Sequence, residues 1–114
     1  MSMAKYAFFF SYTSDAWARM INTPGDRTAA VRQLADSMGG SVESVYWMPG
    51  THDGILIADP PDSVSAAALS IAVTSTGAFK NVQTHELLTQ EQLSQTLQLA
   101  KDATQVYRPP GQQG

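Results

Sequence analysis

The chain predicts an α+β domain with elements in the order β-α-β-β-α-β and one further helix at the C-terminus. Three observations predict it. Short runs rich in aromatic and β-branched residues fall at 4–12, 42–48, 55–58 and 79–88. Apolar residues at helical spacing fill the segments between the first and second runs, between the third and fourth, and after the fourth. Turn-forming pairs (Gly39-Gly40, Pro49-Gly50, Pro60-Pro61, Thr76-Gly77) punctuate the joins.

Residues 4–12 set Ala4, Tyr6, Phe8, Phe10 and Tyr12 in one phase and Lys5, Ala7, Phe9 and Ser11 in the other. Both phases are fairly apolar, which predicts a central strand covered on both sides. Residues 14–22 predict a short helix capped by Ser14 or Asp15, with Trp17, Met20 and Ile21 sharing a face. Thr23 as N-cap, Pro24 at N1 and Asp26 at N3 predict the start of a second helix. That helix presents Ala30, Val31, Leu34, Ala35 and Met38, and Gly39-Gly40 supplies its left-handed stop. Residues 42–48 and the segment around Ile55–Ala58 predict two strands of a hairpin broken at Pro49-Gly50. After Pro60-Pro61, Asp62 or Ser63 caps a helix running to about Ser75, with Val64, Ala67, Ala68, Ile71 and Ala72 on its inner side. The fourth strand, 79–88, carries Val82, Thr84, Glu86 and Leu88 in one phase, and Phe79, Asn81, Gln83, His85 and Leu87 in the other. Thr89 opens the last helix with Gln92 as its box partner, and Leu93, Leu97 and Ala100 mark an inner face. Residues 1–106 are expected as one domain, and 107–114, with Pro109-Pro110, as a flexible tail.

This order is the split pattern of ferredoxin-like domains, with the first and third strands central and the helices on one sheet face. Aromatic side chains of the first strand would face water on the open side, which is unfavourable for a lone domain. Burying such a patch is worth roughly 25 cal/mol per Å². A homodimer or higher homo-oligomer packing sheet against sheet is therefore expected. Charge content agrees: 15% of the 114 residues are charged, against roughly 25% in an average soluble domain.

A net charge of −3 argues against a phosphate-tracking nucleic-acid binder or a polybasic membrane anchor. Basic residues and glycines do not flank Phe8 and Phe10 as an RNA-binding signature requires. No run approaches 18 apolar residues, and the start does not read as a secretory leader, so a cytoplasmic protein is expected. The absence of cysteine excludes disulfides, thiolate metal sites and a thiol nucleophile. Phosphate-binding glycine loops, a dinucleotide turn and a nucleophile elbow are all missing.

Thr23-Pro24-Gly25-Asp26-Arg27, Gly39-Gly40, Tyr46-Trp47, Gly50-Thr51-His52-Asp53 and Ala58-Asp59-Pro60-Pro61, in that order, resemble the GYD domain family over roughly residues 4–92. Gly50 and Asp53 match its glycine–tyrosine–aspartate signature, and His52 stands where the family usually has tyrosine. The resemblance implies a dimeric α+β barrel of ferredoxin-like subunits. It implies no particular reaction.

Four residues are candidates for chemistry: His52, Asp53, His85 and Tyr12. Adjacent strand residues face opposite ways, so His52 and Asp53 form no dyad unless the turn bends the chain. His52 has the reference pKa of a general base, about 6.5. Asp53 also suits a structural role, accepting backbone hydrogen bonds near Pro49-Gly50. One strand should separate His52 from His85 by about 10 Å, too far to share a zinc ion. No metal site and no cofactor are expected. Tyr6, Tyr12, Tyr46 and Trp47 are candidates to line a cavity for a small molecule, or else to pack in a core or dimer contact. Arg19, Arg27, Arg32 and Lys80 form no evident cluster, and Arg27 is poorly placed in the first turn of its helix. An ion pair, an anionic ligand or a plain surface position each accounts for it.

The leading expectation is a small dimeric α+β barrel protein of unassigned activity that binds a small molecule in an aromatic-lined cavity. The alternative is a cofactor-free monooxygenase-, isomerase- or cyclase-like enzyme, which needs His52, Asp53, Tyr12 or His85 to converge in one pocket. A regulatory ligand sensor is a third class.

Overall fold

The computed structural model describes residues 4–112. The start of the expected domain, residues 1–3, and the end of the expected tail, residues 113–114, lie outside the described residues. Strands β1 (Lys5–Tyr12), β2 (Ser41–Trp47), β3 (Gly54–Asp59) and β4 (Phe79–Leu87) combine with helices α1 (Ser14–Asn22), α2 (Arg27–Ser37), α3 (Ser63–Thr74) and α4 (Gln90–Thr104). The strands form one antiparallel sheet in the order β2-β3-β1-β4.

The dimeric α+β barrel implied by the family resemblance is not what this fold shows. The sheet is open, with β2 and β4 as its edges. Three strand spacings hold those edges about 14 Å apart, and no ladder joins them. The expectation that β1 aromatics face water is also corrected. Tyr6, Phe8, Phe10 and Tyr12 all lie on the helix-covered face, buried with Ala16, Leu56, Ala58, Ala66 and Leu69. Strand alternation leaves Phe9 as the aromatic of β1 on the open face, where it is half-buried. Phe10 fits because Gly54 is its partner on β3. A Cβ at Gly54 would meet the Phe10 ring at 2.1 Å, so glycine is needed for this close approach.

Asp62 and Thr89 cap α3 and α4 as expected, whereas the caps of the first two helices differ from expectation. Thr13 caps α1, accepting from the Ala16 N–H at 3.2 Å. Asp26 caps α2, accepting from the Ala29 N–H at 3.0 Å. Thr23 instead closes α1, so Thr23-Pro24-Gly25 is a linker between two helices rather than the first turn of one. Gly39, at φ +76°, ends α2 in the left-handed region as its sequence requires. A register shift where β1 meets β4, between Ser11 and Tyr12, pairs Tyr12 with Phe79 and Ser11 with Asn81. The extra residue, Lys80, turns Phe79 out of the phase of Asn81, Gln83 and His85 and onto the core.

Two helix faces are also corrected. α3 buries Ala66 and Leu69, and its Val64 and Ile71 are exposed. α4 buries nothing, and Leu93, Leu97 and Leu99 are all exposed. It projects beyond the sheet, so the chain extends 61 × 36 × 22 Å. No helix among the described residues is long and apolar enough to cross a membrane.

Candidate functional site

The β2–β3 connection, residues 48–53, ends on Asp53, which is 6% exposed. Its backbone joins the sheet: the Asp53 N–H donates to the Phe10 carbonyl, and its own carbonyl accepts from the Met48 N–H, both at 2.8 Å. Its carboxylate ties three elements together. Oδ2 accepts from the Tyr12 N–H at 2.9 Å and from the Trp17 indole N–H at 3.3 Å. Oδ1 accepts from the Gly50 N–H at 3.5 Å. A buried carboxylate must be met by donors, and these supply them from the end of β1, from α1 and from the turn.

That bond fixes the end of β1, where Tyr12 is the hub of an aromatic cluster. Its ring stacks on Phe79 at 4.9 Å, meets Trp17 edge-on at 5.1 Å and meets Phe10 edge-on at 5.5 Å. Its hydroxyl accepts from the Trp47 indole N–H at 3.3 Å. Beside this cluster lies a cleft of about 680 Å³ between α1, the 23–25 linker and the α3–β4 turn. Tyr12, Ala16, Arg19, Met20, Arg27 and Ala78 form much of its wall. The volume falls in the range of small-molecule sites.

His52 and His85 lie elsewhere. Their rings flank Phe9, at 5.5 Å and 5.7 Å between centroids, on the open face. His52 Nδ1 is buried and has no hydrogen-bond partner among the described residues. The sheet therefore separates both imidazoles from the Tyr12 ring. Among the described residues no three His, Cys, Asp or Glu side chains gather as a metal-ligand set.

The aromatic candidates also divide. Trp47 joins Tyr12. Tyr6 is buried at the far end of β1, against Phe8. Tyr46 is opposite Ile55, in register with Phe9, so it belongs to the open face, where it is 67% exposed. Sequence reasoning missed Phe79, Phe10 and Trp17 as partners of Tyr12, and missed that Arg19 and Arg27 share one cleft. The available signal for the arginines was Pro24-Gly25: read as a linker, it brings the end of α1 back beside the start of α2.

No curated protein and no solved structure matches the chain. The GYD domain model matches residues 6–97, from β1 into α4, and the chain belongs to the GYD domain family.

Proposed function

We propose that this domain binds a small molecule in the cleft beside Tyr12 and works as a pair of identical chains. The carrying observation is the cleft of about 680 Å³, with Tyr12 of the aromatic cluster in its wall. Packing against Phe79 and Trp17 and the Asp53 hydrogen bonds hold Tyr12 and the adjoining wall rigid, which lowers the ordering cost of binding. Thermal-shift screening of small metabolites, with the chain and its Gly25→Trp variant, tests this. Gly25 lines the cleft, and a Cβ there meets nothing within 4 Å, so the indole can fill the opening without disturbing the fold. Stabilising compounds should act on the natural chain and lose their effect on the variant. Compounds that stabilise both equally, or none that stabilise either, refute the reading.

Pairing is supported by two apolar surfaces on the same chain. One is the open sheet face around Phe9, Ile55 and Tyr46, and the other is α4. A second copy supplies a partner for both at once. The enzyme alternative lacks comparable support. It needs groups that lie on two faces of the sheet: the Tyr12 ring in the helix-side cluster and the histidines around Phe9.

A further inference from the structure

The cleft beside Tyr12 is cationic in a chain that is not. The chain has 10 acidic and 7 basic side chains. The lining nevertheless holds Arg19 and Arg27 and neither Asp nor Glu. Among the described residues the one ion pair joins Lys5 to Glu43, so both guanidinium groups lack a carboxylate partner. Arg19 stands in the last turn of α1, where the carbonyl end of a helix favours a cation. Arg27 has no such support, because it is the first residue of α2, where exposed N–H groups oppose positive charge. The neighbouring Asp26 carboxylate is committed to the Ala29 N–H. Arg27 also borders a narrow apolar gap of about 40 Å³ between the helices and the sheet. Tyr12 and Arg27 line both this gap and the cleft, so apolar surface and positive charge meet at one place.

We propose that the cleft takes a small planar aromatic acid, with its ring against Met20 and Ala78 beside the edge of Tyr12 and its carboxylate held by Arg19 and Arg27. The proposal rests on the cleft-binding reading above and adds the ligand class. A guanidinium fork matches a carboxylate bidentately, and here it would gain the counter-charge that the protein withholds. A bare inorganic anion would satisfy the arginines but leave Met20 and Ala78, both half-buried in the lining, uncovered. A neutral aromatic molecule would do the reverse.

Calorimetric titration of the full chain with benzoate, 1-naphthoate, neutral 1-naphthalenemethanol and inorganic phosphate tests the proposal. Fluorescence of Trp17 and Trp47, which both touch Tyr12, gives a second readout. The aromatic acids should bind about tenfold or more tightly than the alcohol, as expected for charge-assisted hydrogen bonds. Arg19→Gln or Arg27→Gln should erase that preference and leave the alcohol unaffected. Both arginines are exposed, so unchanged circular dichroism serves as the folding control. If acid and alcohol bind equally and Gly25→Trp abolishes both, the ligand class is wrong and the cleft reading survives. If none of the four probes binds, the ligand class is wrong, and the metabolite screen with Gly25→Trp decides the cleft reading separately. Phosphate binding as tightly as the acids also overturns the proposal, because the arginines alone would then make the site.

Discussion

Among the described residues Asp53 is the buried side chain that accepts hydrogen bonds from a strand, a helix and a turn together. Removing the carboxylate leaves the Tyr12 N–H and the Trp17 indole N–H without an acceptor, and a buried unmet donor costs about 1–3 kcal/mol. Asp53→Ala should therefore destabilise the fold by about 3 kcal/mol in urea denaturation. Asp53→Asn should cost less, because one acceptor oxygen remains. A loss under about 0.5 kcal/mol for Asp53→Ala, the scale of an ordinary surface substitution, would remove the hub role. The turn-side half of this arrangement was legible: a carboxylate three residues after Pro49-Gly50 predicts an acceptor for turn backbone. The indole contact was not, because Trp17 reaches Asp53 only once α1 folds back beside the end of β1. Long-range contacts of this kind leave no local pattern in a sequence.

Capping makes the same distinction at the scale of elements. Thr89 and Gln92 form the expected reciprocal box at the start of α4, because the spacing alone determines it. The start of α2 depends on more. Thr23 and Asp26 both have capping side chains, and the cap fell to Asp26 while Thr23 closed α1. Inner faces were least legible where a helix is apolar all round, as in α3. There the sheet took Ala66 and Leu69, one turn apart on a single face, and left Val64 and Ile71 exposed, a choice set by the orientation of the helix on the sheet. The α3 cap yields a prediction with a definite sign. Asp62 accepts from the Ser65 N–H at 2.8 Å, and hydrogen bonding to Ser65 holds its carboxyl below the usual carboxylate range. A carboxyl more acidic when folded than when unfolded adds stability above its unfolded pKa, and loses it as pH falls through the folded value. The stability advantage of the natural chain over Asp62→Asn should therefore be constant near neutral pH and shrink below about pH 4. Urea denaturation at pH 7, 5, 4 and 3 measures it. An advantage that grows on acidification contradicts this assignment.

The whole molecule is longer than one core requires. Its radius of gyration is 18.2 Å, against about 13 Å for a compact chain of this length. The excess comes with α4, which runs past the sheet without burying a residue. Isolated helices of about 12–15 residues are marginal in water, so tertiary packing must supply most of the stability of this 15-residue helix. The chain's own sheet does not provide that packing. Across the open face, strand register aligns Phe9, Ile55 and Tyr46, with Ile57 beside them, and the Lys5–Glu43 pair lies at one end. Two copies related by a two-fold axis can each lay α4 and this face against the other, so each exposed surface is covered twice by one symmetry operation. Light scattering should then give about twice the 12.3 kDa of one chain. Tyr46→Glu and Leu97→Glu should each shift the protein towards monomer while the far-ultraviolet spectrum of the sheet is kept, since both side chains lie outside the core. In the monomeric variants α4 should lose amide-exchange protection before any strand does, because its own chain buries none of its residues. A natural chain that stays monomeric at hundreds of micromolar, with α4 amides protected as well as those of β1, would show that the helix is stable unaided and that no second copy is needed.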